Sequence, residues 1–303
     1  MAMLHAEKPI GVFDSGVGGL TVVQSIRQLL PNETLCYFGD TARVPYGTKS
    51  GETIKRYSVE ITRFLKSHDV KMIVVACNTA SSVALPAIRA HFDGPVLGVV
   101  EPGVRAALQH AHRGRIGVIG TKSTIQSGAY QKHLLDQDPA LFIIAQACPL
   151  FVPLVEEGWE NEPITFKVAK RYLAGLIQEN LDVLILGCTH YPLISHVIQQ
   201  AVGEQIQLVS SAEEAAKETR QILSQSNLLA SQKRVKDLFY ASDNIQGFQN
   251  IYERIFHNHD ASFVEAHSDF FHLVQEIYRF RGTKLFAEPA DWFEAFSAPS
   301  PPA

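Results

Sequence analysis

The sequence lacks several features that would assign it to a specialised class of protein. No apolar run approaches the roughly 18 residues that a membrane-spanning helix needs. The stretch 1–9 has no apolar centre, so it does not resemble a secretory signal peptide. No Cys-x-x-Cys pair occurs among the cysteines, which are Cys36, Cys77, Cys148 and Cys188. These absences predict a cytosolic chain without a membrane span, with free thiols rather than disulfides or structural zinc.

Signatures of nucleic-acid and nucleotide binding are also missing. The formal net charge is −4 and the lysines and arginines are scattered, so no basic groove is indicated. The turn 15–19, Ser-Gly-Val-Gly-Gly, lacks the third glycine of a dinucleotide fingerprint because residue 21 is threonine. The Gly-Lys-Ser/Thr of a P-loop is absent as well. A tight turn whose N–H groups face a carboxylate substrate is the better interpretation.

Apolar runs and helical periods alternate along most of the 303 residues, which predicts an α/β fold. The runs at 72–76 and 183–186 are unbroken, as is typical of parallel strands buried on both faces. Strands are predicted at 9–13, 34–38, 72–76, 96–100, 115–119, 141–145, 182–186, 206–209 and 237–241. Helices are predicted at 20–30, 50–66, 104–112 and 212–224.

The spacing of the predicted strand ends repeats within the chain. Asp14 and Cys77 are 63 positions apart, and Thr121 and Cys188 are 67 apart. We interpret the repeat as two similar α/β units of roughly 100 residues each. The predicted first domain is discontinuous and spans 1–100 plus 211–264, and the second spans 101–210. A partly helical extension with a disordered, proline-rich tail is predicted for 265–303.

Cys77 and Cys188 each follow one of these apolar runs, directly before a helical pattern. Open α/β sheets bind ligands at such strand ends, and a helix N-terminus favours thiolate over thiol. A cysteine there is more often a small buried hydrophobe, which is our interpretation of Cys36 and Cys148. If the two units pair about a two-fold axis, Cys77 and Cys188 approach one ligand from opposite sides. Two such groups could invert a carbon centre by proton transfer.

Several motifs resemble those of the glutamate racemases in the aspartate/glutamate racemase family. The resemblance covers about residues 9–256, and its motifs are specific in both sequence and order. They are Phe-Asp-Ser-Gly-Val-Gly-Gly-Leu at 13–20, Pro-Tyr-Gly at 45–47, Ala-Cys-Asn-Thr-Ala-Ser at 76–81, Pro-Leu-Phe-Val-Pro-Leu-Val-Glu at 149–156 and Leu-Gly-Cys-Thr-His-Tyr-Pro-Leu at 186–193.

The resemblance implies two similar flavodoxin-like, three-layer α/β domains with mainly parallel sheets, related by pseudo-two-fold symmetry, with the active site between them. It implies racemisation of L-glutamate to D-glutamate in the bacterial cytoplasm, supplying peptidoglycan synthesis. It also implies a homodimer that needs neither pyridoxal phosphate nor a metal and has no nucleic-acid or membrane partner. Neither strand end carries a lysine that could hold pyridoxal phosphate, which agrees with cofactor independence.

By the same resemblance, Cys77 and Cys188 are the acid/base thiols, and Asp14 and His190 assist them. The positions of His190, two residues after Cys188, and Asp14, at the matching edge of the first unit, also favour these roles. The resemblance alone singles out Glu156. The implied substrate-binding residues are Asp14, Ser15, Tyr46, Gly47, Asn78, Thr79, Thr189 and His190.

Three alternatives remain open from the residues. A related isomerase could use the same two cysteines on aspartate or another acid. A hydrolase or transferase would need only one thiol, so a covalent intermediate would form on it. A two-lobed protein could bind an acidic amino acid without reaction.

Overall fold

The structure, a computed structural model, describes residues 5–233, 235–256 and 261–266. Its strands are Ile10–Asp14 (β1), Leu35–Gly39 (β2), Met72–Val75 (β3), Val96–Gly98 (β4), Arg115–Gly120 (β5), Phe142–Ala147 (β6), Val183–Gly187 (β7), Gln207–Ser210 (β8), Asp237–Ala241 (β9) and Ala261–Glu265 (β10).

Helices connect and cover these strands. They are Leu20–Leu29 (α1), Gly51–Ser67 (α2), Asn78–Val83 (α3), Leu85–Arg89 (α4), Val100–His110 (α5), Lys122–Gln126 (α6), Ala129–Gln137 (α7), Phe151–Glu156 (α8), Pro163–Ile177 (α9), Ser195–Val202 (α10), Ser211–Gln225 (α11) and Ile245–Phe256 (α12). Short 3₁₀ turns span Thr41–Arg43, Tyr46–Thr48 and Tyr191–Ile194.

Two separate sheets form, and all strand pairs in both are parallel. The first has six strands in the order β10-β9-β2-β1-β3-β4, and the second has four in the order β6-β5-β7-β8. The order β2-β1-β3-β4 of the first sheet recurs as β6-β5-β7-β8 in the second. The predicted α/β class with parallel sheets is therefore confirmed, and the repeat in sequence spacing corresponds to a repeat in strand order.

The second sheet shows why its strands are apolar throughout. Leu184 and Leu186 of β7 pack into a core shared with α8, α9 and α10. Val183 and Ile185, on the other face, pack into a core shared with α5 and α7. Alternate residues thus enter two different cores, so no position in the strand remains for a polar side chain.

The first sheet is completed by residues that follow the second sheet in sequence. Strand β9 pairs with β2, and β10 pairs with β9. Helix α12 contributes Phe248, Tyr252 and Phe256 to the core on one face of this sheet. Helix α11 packs against both α1 and α5, and therefore contacts helices that belong to different sheets.

Several details differ from the sequence predictions. Strand β4 ends at Gly98 and α5 begins at Val100, because Pro102 is tolerated in a first helical turn and does not delay the helix. A 3₁₀ turn rather than an α-helix follows Cys188. Helices α6 to α9, helix α12 and strand β10 were not predicted. Residues 267–303, most of the predicted extension and tail, lie outside the described residues. The domain boundaries at 100 and 210 stay a prediction.

Candidate active site

The two sheets present their carboxyl ends to a shared region, and Cys77 and Cys188 lie at equivalent strand ends there. Cys77 follows β3 and caps the N-terminus of α3, and Cys188 directly follows β7. Both are buried, with exposed fractions of 4% and 6%. Strands β3 and β7 hold the same place in their sheets, so the fold repeats the position of the thiol.

The surroundings of Cys77 favour the neutral thiol. Burial, followed by the negative charge of Asp14, raises the pKa of Cys77 to about 12. The N–H of Ala80 donates to Sγ at 3.5 Å, and Ser15 Oγ lies 3.7 Å from Sγ. These two contacts act in the opposite direction but are outweighed. The helix N-terminus thus lowers the pKa of Cys77 through the N–H of Ala80, but burial raises it by more.

Cys188 has a histidine beside it. Its sulfur lies 3.8 Å from Nδ1 of His190, and Nε2 of His190 lies 3.1 Å from Oε1 of Glu156. Burial alone lowers the pKa of His190, but hydrogen bonds and charges from Cys188 and Glu156 raise it to about 10. The imidazole is consequently protonated near neutral pH and stands between the sulfur of Cys188 and the carboxylate of Glu156.

Asp14 joins the two strand-end regions. Its Oδ2 accepts the N–H of Gly16 at 3.0 Å, and its Oδ1 accepts the hydroxyl of Thr189 at 3.3 Å. A Cβ placed on Gly18 would lie 2.5 Å from Nδ1 of His190, so this glycine permits close approach of the two segments. The charge of Cys188 also contributes to the raised pKa of Cys77. The two cysteines thus belong to one electrostatic environment.

Tyr46 and Gly47 come from the loop after β2 and contact the second sheet's side. The hydroxyl of Tyr46 hydrogen-bonds Asp40, which is fully buried and also accepts from Ser242 Oγ at 3.0 Å. A Cβ on Gly47 would lie 2.5 Å from Cβ of Thr121, so the backbone of this loop packs directly on the start of α6. Asp40 therefore anchors the loop that carries two of the predicted binding residues.

Asn78 and Thr79 begin α3 and make further contacts across the sheets. The amide nitrogen of Asn78 donates to Tyr130 Oη at 2.7 Å, while its buried Oδ1 has no hydrogen-bond partner among the described residues. Thr79 Oγ1 lies 3.0 Å from Thr121 Oγ1 and 3.1 Å from Thr124 Oγ1. An unsatisfied buried amide oxygen is costly, so its presence suits a site that receives a ligand donor.

All the predicted site residues lie in this region or contact residues that do. Their functional roles stay a prediction. Asp40, Thr121, Thr124 and Tyr130 also line this region and were not predicted as site residues from the sequence. Thr121 follows β5 as Asp14 ends β1, so the repeat offered a signal for this residue. Asp40, Thr124 and Tyr130 had no such signal. Among residues 5–233, 235–256 and 261–266, no group of three or more His, Cys, Asp or Glu side chains is placed to hold a metal ion.

Both the sequence and the fold match those of known proteins. The family model for Asp/Glu/hydantoin racemases matches residues 10–219. The chain belongs to this family. A glutamate racemase from Geobacter metallireducens is 50% identical over 248 residues, which are 82% of this chain and 92% of that protein.

Solved structures of racemases show the same fold. A glutamate racemase isoform from Bacillus anthracis superposes with a TM-score of 0.84 at 41% identity, covering 87% of this chain and 99% of that one. The Francisella tularensis glutamate racemase, solved in complex with D-glutamate, gives a TM-score of 0.81 at 36% identity, covering 86% and 98%. The chain is therefore an enzyme of the racemase class, and the two-unit flavodoxin-like prediction is confirmed. No helix among the described residues is long and apolar enough to cross a membrane.

Proposed function

We propose that this racemase interconverts L- and D-glutamate by two-base proton transfer between Cys77 and Cys188, without a cofactor. One observation carries the proposal: two buried thiols lie at equivalent strand ends, Cys77 beside Ser15 and Asp14, and Cys188 beside His190. Cys77, with its pKa raised to about 12, is a proton donor at neutral pH. Cys188 lies beside a histidine whose pKa is raised to about 10, and an imidazolium stabilises a neighbouring thiolate.

The chemistry follows from this asymmetry. The thiolate of Cys188 removes the α-proton, so an S–H bond forms as the C–H bond breaks and the electron pair moves into the α-carboxylate. The thiol of Cys77 then delivers its proton to the opposite face of the carbon. The enzyme is left with the two protonation states exchanged, ready for the reverse direction. The pair therefore titrates as a coupled unit, and the rate in each direction should depend on pH as a bell-shaped curve.

Stabilisation of the carbanion-like state has to accompany the proton transfer, because an α-proton is very weakly acidic. We assign the substrate ammonium to Asp14 and to Oδ1 of Asn78, since a buried carboxylate and an unpaired buried amide oxygen both accept N–H donors. We assign the two substrate carboxylates to hydroxyl and backbone donors of the remaining predicted residues, which are Ser15, Tyr46, Gly47, Thr79, Thr189 and His190. Glu156 holds His190 in the orientation that serves Cys188.

Glutamate is the proposed substrate because relatives that are 44–50% identical to this chain over most of its length are named glutamate racemases. The Francisella tularensis protein was solved with D-glutamate bound. We further propose that the product feeds peptidoglycan synthesis in a bacterial cytoplasm and that the chain acts as a homodimer. Neither a metal nor pyridoxal phosphate takes part in the proposed reaction.

Circular dichroism of L- and D-glutamate incubated with the purified protein tests the proposal. Both enantiomers should reach the same racemic end point with neither added pyridoxal phosphate nor metal, and with EDTA present. In D₂O the product should carry deuterium at Cα. Racemisation that required pyridoxal phosphate, or binding without deuterium uptake, would overturn the proposal. Faster turnover of aspartate than glutamate would reassign the substrate.

A further inference from the structure

An ion pair joins the segment after α8 to helix α12 close to the His190 side of the site. Arg254 of α12 pairs with Oε1 of Glu160, and the guanidinium also lies near Gly158. The Glu160 side chain is 12% exposed and that of Arg254 is 46% exposed. The mechanism proposed above uses neither residue.

Helix α12 is a firm support for this arginine. Its Phe248, Tyr252 and Phe256 are buried in the core of the first sheet. The carbonyl of Ile255 also accepts the side-chain amide of Gln24 from α1 at 3.1 Å. Arg254 therefore extends from an element fixed to the first sheet toward a segment that follows the second sheet's α8.

The ion pair spans a cleft between α12 and the second sheet's helices. About 210 Å³ of space lies between α12 and the elements α8 and α10, with Val155, Leu193, His196 and Ile251 among its lining residues. Arg254 and Glu160 also line this cleft and bridge it. His196 Nε2 contacts Asn161 Oδ1 at 3.1 Å and Thr165 Oγ1 donates to the carbonyl of Trp159 at 2.6 Å, so these bonds hold the segment from the side of the second sheet. The Arg254–Glu160 ion pair ties the same segment to α12, on the side of the first sheet.

That segment is coupled to Glu156 through the backbone. Helix α8 ends at Glu156, and Gly158 follows with a φ of +76°. The N–H of Trp159 donates a hydrogen bond to the carbonyl of Leu154 at 2.8 Å. A shift of Glu160 is therefore transmitted to the last turn of α8. The Glu156 side chain is 32% exposed, so solvent competes with its 3.1 Å contact to His190 unless the backbone holds it in place.

From this arrangement we infer that Arg254 and Glu160 are positioning residues that hold Glu156 against His190 and thereby support proton transfer at Cys188 rather than at Cys77. This inference rests on the two-cysteine function proposed above. The partly exposed Arg254–Glu160 ion pair thereby affects only one of the two proton transfers, the one at Cys188.

Primary isotope effects measured separately with α-deuterated L- and D-glutamate test the inference, in the variants Arg254→Met and Glu160→Gln. Impaired transfer at Cys188 raises the substrate isotope effect for the enantiomer that Cys188 deprotonates. It lowers the effect for the other enantiomer, because reprotonation by Cys188 then limits the rate. A merely structural loss of active enzyme changes neither isotope effect. Glu156→Gln identifies which enantiomer responds.

Arg105→Met is the matched control. Arg105 of α5 is 49% exposed and pairs with Glu218 of α11 and with Glu101 of its own helix. The variant therefore removes a similarly exposed ion pair that involves neither α8 nor α12. We expect kcat to fall about tenfold in Arg254→Met, with opposite changes of the two isotope effects, and neither change in the control. Exchanging the charges in the double variant Arg254→Glu, Glu160→Arg should restore part of kcat.

The outcomes separate the two proposals. Opposite changes in Glu156→Gln but unchanged isotope effects in both Arg254→Met and Glu160→Gln would overturn the inference alone. Equal changes of both enantiomers in Glu156→Gln would count against the assignment of Cys188 and His190, and therefore against the proposed function. Thermal unfolding of each variant verifies that the protein measured is folded.

Discussion

The two halves of this racemase share a strand order but not an electrostatic environment. Cys77 and Cys188 hold equivalent positions after β3 and β7. Beside Cys77 stand a carboxylate and a hydroxyl, from Asp14 and Ser15, whereas beside Cys188 stands an imidazole backed by a carboxylate. The repeated fold supplies the symmetry that inversion of a carbon requires. The different neighbours surround the two thiols with unlike charges, a carboxylate at Cys77 and an imidazole backed by a carboxylate at Cys188.

Removing one of the two thiols at a time should have the largest effect on activity. In Cys77→Ala and in Cys188→Ala we expect racemisation to fall at least about 10³-fold, since each removes one obligatory acid/base group. Deuterium uptake at Cα should persist for one enantiomer only, and for the opposite enantiomer in the two variants. Circular dichroism and mass spectrometry of recovered glutamate measure both results. Racemisation retained by either variant would contradict the two-base mechanism.

Gly18→Ala tests the close approach between the halves. The added methyl would lie 2.5 Å from Nδ1 of His190, so the segments at 18 and 189–190 must separate. We expect a loss of about 1–3 kcal/mol in unfolding free energy, measured by urea denaturation, and a lower kcat. Gly16→Ala is the steric control, because its nearest neighbour there lies at 3.4 Å, and its stability should change little.

Asp14→Asn makes the Cys77 side less negative. The charge of Asp14 is the second cause of the raised pKa of Cys77, after burial. The variant should therefore lower the pKa of this thiol from about 12, by roughly one unit. The pH dependence of alkylation, measured by peptide mass spectrometry at Cys77, gives the value. An unchanged or raised pKa would show that Asp14 does not act on the thiol.

His190→Gln tests, through the pH dependence of stability, whether the histidine beside Cys188 is protonated. The pKa of His190 is raised to about 10 from an ordinary 6.5, so its stabilising contribution is complete below pH 6.5 and is lost as the pH rises toward 10. Wild type should lose stability relative to the variant between pH 6.5 and 9, by at most about 1.4 kcal/mol per pH unit. Urea denaturation across this range measures the difference, and parallel curves would contradict the assigned protonation.

Much of the sheet architecture could be predicted because it is encoded locally. Continuous apolar runs identified β3 and β7, and their positions showed the repeat. Helix α12 was missed although Phe248, Tyr252 and Phe256 recur at helical spacing. The strand predicted at 96–100 and the helix predicted from 104 miss the true boundary, because β4 ends at Gly98 and Pro102 lies inside the first turn of α5.

The site was less accessible to local reasoning. Strand-end position identified Cys77 and Cys188, but the contact between Glu156 and His190 joins residues 34 positions apart and has no local signal. The balance of effects on the pKa of Cys77 also had no local signal, since the helix N-terminus lowers this pKa and burial raises it by more. Burial depends on everything that packs around the sulfur, including Asp14 from another strand, and a short motif contains none of that information.

The pairing of β9 with β2 has a consequence for synthesis of the chain. A ribosome releases β1 to β4 long before residues 237–265, so the early half emerges with one sheet edge unpaired. The later, four-strand sheet has all its strands by residue 210 and can close first. The first sheet is therefore begun first and completed last. A stalled or truncated product would leave the backbone of β2 unpaired, and other nascent chains could pair with this edge.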